Sequence, residues 1–142
     1  MGGEIITRIA YSVKGMILAC GTDDGNGYLF DTTKDEYKST IDNNLIQYDK
    51  DSMKRDNYIN VIKYSSDGKY IAFGGDDKMV KLYRLPKLEL IHTFDKLGGW
   101  VWSIDFNVVE NKIAIGTADD RKVSISVYCR QRKIMINKRK SK

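Results

Sequence analysis

Three segments of this chain carry the same six residue types (β-branched, aliphatic, aromatic, alanine, glycine and aspartate) at the same spacing, and that repetition limits the fold more than any single motif does. In the middle copy they are Ile59, Ile62, Tyr64, Ala72, Gly74 and Asp77. Ile6, Ile9, Tyr11, Ala19, Gly21 and Asp24 match them upstream, and Val101, Ile104, Phe106, Ala114, Gly116 and Asp119 match them downstream. The first two copies start 53 residues apart and the last two 42. A period of that size belongs to an array of one supersecondary unit, each unit covering the apolar face of its neighbour.

Each unit reads as strands, because its apolar runs are short, alternate in places and end at glycine or turn residues. Strand a is expected at 5–11, 58–64 and 100–106, and strand b at 16–21, 70–74 and 112–116. The connections between them include Ser66-Asp67-Gly68-Lys69, a good tight-turn sequence, and the poorer Val109-Glu110-Asn111. An acidic turn then leads to strand c, which alternates well at 79–83 and 123–127. A fourth strand d is expected at 88–94 and 133–137, with a poorly defined counterpart between 37 and 48. The single proline, Pro86, falls between c and d, where a missing N–H costs a sheet least. The polar stretch 42–57 has no period and reads as a surface loop. With helix signals nearly absent, the expected class is all-β, built of tandem four-stranded antiparallel units.

Charge and cysteine usage exclude several functions. The formal net charge is +5, but seven of the 24 basic residues lie in 129–142, which holds no acid; the rest of the chain carries 17 against 19 acidic side chains. Any nucleic-acid binding is therefore expected in the tail alone, through Lys138, Arg139 and Lys140, a cluster for which a solvated charge run is the commoner explanation. Cys20 and Cys129 have neither a CxxC spacing nor a neighbouring histidine, so no metal site is expected. The apolar runs are far shorter than the roughly 20 residues of a membrane helix, and no signal-peptide pattern opens the chain. Ile6 stands where a myristoylation signal wants Ser or Thr. We expect an intracellular protein, cytoplasmic rather than nuclear, with no membrane contact.

The repeats resemble WD40 repeats, and are similar to those of G-protein β subunits. Ala19-Cys20-Gly21-Thr22-Asp23-Asp24 leading to Phe30-Asp31 resembles the family's Ala-Ser-Gly-Ser-x-Asp and Trp-Asp pattern. Residues 72–77 lead likewise to Tyr83-Arg84, while the third copy keeps 114–119 without the aromatic. No copy has the terminal Trp-Asp pair or the preceding Gly-His; Lys96-Leu97 stands before Trp100 instead. The resemblance implies an incomplete β-propeller of about three blades (4–48, 58–94 and 100–137) followed by a basic tail at 138–142. Closed propellers use 4 to 8 blades. Three blades therefore imply a piece of a larger propeller, or further blades from a second chain, a homodimer being the simplest case.

The candidate residues divide by role. Asp24, Asp77 and Asp119 are expected to be structural, because turn aspartates accept backbone N–H bonds. Gly21 to Gly27 is glycine-rich but lacks the lysine and helix of a phosphate loop. His92, the only histidine, falls in an outer strand, which leaves no catalytic constellation and no cofactor to expect. By the resemblance, Trp100 and Trp102 face partners across the top surface, with Tyr58 and Asn60 matching them in the second copy, Ile5 and Thr7 in the first, and Asp76 and Lys78 joining from the turn. Packing between blades is the competing role for both tryptophans. The expected function is a non-catalytic interaction scaffold for other proteins in a larger complex; an RNA- or ribonucleoprotein-associated factor using the tail is the alternative.

Overall fold

The computed structural model describes residues 5–33, 36–42, 58–120, 122–129, 132–135 and 140–141. Of the loop expected at 42–57, Asp42 instead ends a strand and 43–57 lie outside the described residues, as do the tail residues Lys138 and Arg139. The first sheet comprises β1 (Ile6–Tyr11), β2 (Ile17–Thr22), β3 (Gly27–Asp31) and β4 (Glu36–Asp42), paired in that order. The second comprises β5 (Ile59–Tyr64), β6 (Tyr70–Gly75), β7 (Val80–Arg84) and β8 (Glu89–Phe94). The third runs β9 (Trp100–Asn107), β10 (Lys112–Ala118), β11 (Lys122–Cys129) and β12 (Arg132–Met135), and β13 (Lys140–Ser141) pairs with β11. All pairings are antiparallel. Each sheet is one blade, and the expected strands fall within a few residues of the observed ones.

The blades sit side by side through their first strands, β1 beside β5 and β5 beside β9, and the ring is not closed. Two apolar cores result, one in each joint. Ala19 and Leu29 of blade 1 meet Ile59, Ile62 and Tyr64 of blade 2. Ala72, Val80 and Leu82 of blade 2 meet Val101, Ile104 and Ile113 of blade 3.

The repeated glycine is explained at these joints. A Cβ on Gly21 would lie 2.6 Å from Cγ2 of Ile59, and one on Gly74 would lie 2.5 Å from Cγ1 of Val101. Ile59 in β5 and Val101 in β9 thus fill the space left by the glycine of the preceding blade. A further bond crosses the first joint, where the Thr7 hydroxyl donates to the Ile59 carbonyl at 2.7 Å.

The hairpins follow local turn chemistry. At Ser65, the hydroxyl donates to Asp67 Oδ1 at 2.6 Å and accepts the Tyr70 N–H at 3.0 Å, while Gly68 turns the chain at φ +73°. Ser12 accepts the Ile17 N–H at 3.1 Å in the matching place of blade 1, with Gly15 at φ +71°. The Ser65 hydroxyl holds the Asp67 carboxyl below the usual carboxylate range.

Candidate functional site

The starts of the inner strands and the b–c turns lie together at one end of the blades, where backbone pairing joins them. Asp76 donates its N–H to the Tyr58 carbonyl at 3.1 Å, and its carboxylate accepts the Tyr58 N–H at 3.2 Å. The Asn60 amide, in a residue only 7% exposed, donates to the same carboxylate at 2.8 Å. Asp23 and Ile5 form the matching pair in blade 1, the Asp23 carboxylate accepting the Ile5 N–H at 3.0 Å. Blade 3 has Ala118 at this position, paired with Trp100 by backbone alone.

The expected turn aspartates all accept bonds within their own turns. Asp24 takes the Thr22 hydroxyl and the Asn26 amide, the latter at 2.9 Å. Asp77 accepts the Met79 N–H at 3.1 Å, and Asp119 the Lys122 N–H at 2.9 Å. The three acidic pairs are therefore not equivalent. In blades 1 and 2 the first aspartate ties strand a and the second caps the turn; in blade 3 the first one caps, and Asp120 is an additional exposed carboxylate. The repeat spacing agrees, since it places Asp119 in register with Asp24 and Asp77. Lys78 occupies the turn at φ +64°, where blade 1 has Gly25 at +86°. Its side chain is exposed from a backbone conformation that a non-glycine residue adopts at some cost.

Among the expected partner-facing residues, Tyr58, Lys78 and Trp102 are exposed, Trp102 by 49%; Trp100 and Asp76 are half-buried and Asn60 is buried beneath them. The geometry therefore joins Tyr58, Asn60 and Asp76 in one bonded corner of blade 2, with Lys78 further along the same turn and Trp100 and Trp102 on the adjoining strand β9. Of the tail cluster, Lys140 is placed in β13 opposite Val123. His92 lies in outer strand β8 and packs edge-on to Phe94, with ring centroids 4.5 Å apart. Both cysteines are free, and burial raises the Cys20 thiol pKa. Among the described residues no group of three or more His, Cys, Asp or Glu could hold a metal. No helix among them is long and apolar enough to cross a membrane.

A concavity of about 590 Å³ opens between blades 1 and 2, lined in part by Val13, Met16, Leu29, Tyr64, Pro86 and Leu88. The buried Tyr64 hydroxyl has no hydrogen-bond partner among the described residues. Burial, with the Cys20 thiolate acting in the same direction, pushes its pKa up to about 12. Below the ordinary phenol pKa both folded and unfolded chains are neutral here. Between that value and about 12 the unfolded chain ionises first, so this group lowers stability as pH rises through the window. Phenolate absorbance of the folded protein should show a last step near pH 12, absent in Tyr64→Phe; an unchanged last step in that variant assigns it elsewhere.

Three blades packed side by side along their inner strands define the class as the WD40-type β-propeller fold, open rather than closed. Comparison with known proteins agrees. Residues 52–84 match the family model described as WD domain, G-beta repeat. The WD repeat domain-containing protein 83 homolog of Dictyostelium discoideum is 45% identical over 40 residues, 28% of this chain and 12% of that protein. The crystal structure of RRP9 WD40 repeats superposes with a TM-score of 0.75 at 16% identity, over 95% of this chain and 39% of that one. The Cps50 (Swd1) β-propeller domain of Myceliophteria thermophila gives 0.68 at 17% identity, over 93% and 42%. Residues 52–84 thus match a WD40 repeat, and the chain as a whole has the WD40-type β-propeller fold. It spans about two fifths of the length of those solved propellers and about an eighth of the curated relative.

Proposed function

We propose that the protein is a non-catalytic, intracellular interaction scaffold, cytoplasmic rather than nuclear, and that it docks a protein partner across the strand-start end of blades 2 and 3. The observation that carries this reading is the exposed Trp102 on β9, the strand adjoining β5, whose start Asp76 ties through Tyr58 and Asn60. Tryptophan and tyrosine give large contact area at low entropy cost, and a pre-ordered corner loses little freedom on binding. WD40 domains commonly act in this way, and the solved neighbours include the U3-55K structure, at a TM-score of 0.74 and 16% identity over 95% of this chain and 39% of that one. Trp102→Ala should leave the circular dichroism and urea midpoint unchanged while weakening partner binding about 30-fold, as loss of a hot spot worth about 2 kcal/mol does. Unfolding of that variant would instead make Trp102 a packing residue, and undiminished binding would remove it from the interface.

A second reading rests on the seven basic residues of 129–142, unbalanced by any acid. A ribonucleoprotein partner held by that tail would show binding that falls steeply with salt. Shallow salt dependence favours the protein-docking surface.

A further inference from the structure

The joint between blades occurs twice inside the chain, and each half of it occurs once more without its counterpart. Ile59 and Val101, which fill the spaces over Gly21 and Gly74, are both 0% exposed; Ile6, in register with them, is 47% exposed. Ile62 and Ile104 are 8% and 6% exposed, against 63% for Ile9. Tyr64 is 8% exposed and Tyr11 57%. Blade 1 thus presents, bare, the face that blades 2 and 3 bury.

The opposite half is bare on blade 3. The ladder pairs Gly74 with Val80 and Gly116 with Ile125. Val80 is 0% exposed under blade 3, whereas Ile125 is 49% exposed and Val123 beside it 55%. Gly116 keeps the missing Cβ that makes room for a β-branched residue. The nearest atom to that space is Oγ of Ser103, an exposed residue of β9.

We propose that these faces are the two halves of a joint formed between copies of this chain, with Ile6 of one copy seated over Gly116 of the next. Both halves lie on one molecule in the register of the internal joints, so a second copy supplies the complementary surface with no further protein. Contacts of this head-to-tail kind either close or continue as a filament. Two copies close with two identical joints and six blades, within the range that propellers use. The proposal rests on the end faces and not on Tyr58, Lys78 or Trp102, so neither reading falls with the other.

Sedimentation velocity of the purified chain at tens of micromolar tests it. The expected mass is twice the 16.3 kDa of one chain. Ile6→Asp and Ile125→Asp each place a carboxylate in both joints of the ring and should weaken association about 100-fold or more, with unchanged circular dichroism. An equimolar mixture of the two variants should regain a two-copy species, because one joint then pairs an intact Ile6 face with an intact Ile125 face. A single-chain mass for the unaltered protein overturns the proposal. So do a filament series, two-copy mass retained by either variant, or a mixture that stays monomeric. If a variant misfolds, the mass of the unaltered chain still decides.

Discussion

Replacing Phe73 by alanine should lower the stability of the fold by about 3–5 kcal/mol, the usual cost of removing a buried aromatic ring. Phe73 is 1% exposed in β6, the second strand of the central blade, and meets Tyr83 edge to face with centroids 5.9 Å apart at 87°. It belongs to the same core as Ala19 and Leu29 of blade 1 and Ile59 of blade 2. Its loss therefore loosens the blade and the joint together, against a typical domain stability of about 5–15 kcal/mol. Urea unfolding followed by circular dichroism measures the change. Phe73→Leu, which keeps most of the volume, should cost under about 1.5 kcal/mol. Equal losses for the two variants would show that the ring is not packed as described.

Gly74→Ala should destabilise by about 1–3 kcal/mol, although alanine ordinarily suits a strand better than glycine. The added methyl would lie 2.5 Å from Val101 Cγ1 and 3.0 Å from its Cβ, with Val61 Cγ1 at 3.2 Å on the other side. The cost comes from the joint and not from the strand, which makes it reversible in a defined way. Val101→Ala alone loses buried contacts, but in the double variant it vacates the space that the new methyl needs. The two changes should therefore couple by about 0.5–3 kcal/mol in a double-mutant cycle of urea midpoints. Strictly additive losses would refute the knob-over-glycine account of the repeat.

The strands were legible in the sequence because the repeat set their register three times over, so a weak signal in one copy was supported by the others. Pro86 lies between β7 and β8, as a residue without an N–H should. The repeated glycine was visible as a spacing, but its reason was not, because the residue it accommodates lies some forty residues away in the next blade. Exposure at the ends was hidden for a related reason. Ile6, Ile59 and Val101 are chemically alike, and only the presence or absence of a preceding blade separates 47% from 0%. In the candidate site, Tyr58, Lys78 and Trp102 emerged on the surface, while Asn60 turned inward because the Asp76 carboxylate offers its amide a short bond. The offset of the third acidic pair follows from the repeat spacing, which puts Asp119, counted from Ala114, in register with Asp24 and Asp77.

The glycine joint also bears on how such a chain can change over generations. Every joint uses the same two positions, so duplicating or deleting one whole repeat in the coding sequence preserves every remaining contact and reproduces the same pair of end faces. Repeat number can then drift with little penalty to any individual blade. A substitution at Gly21 or Gly74 has no such freedom, because it requires a matching change in the neighbouring repeat.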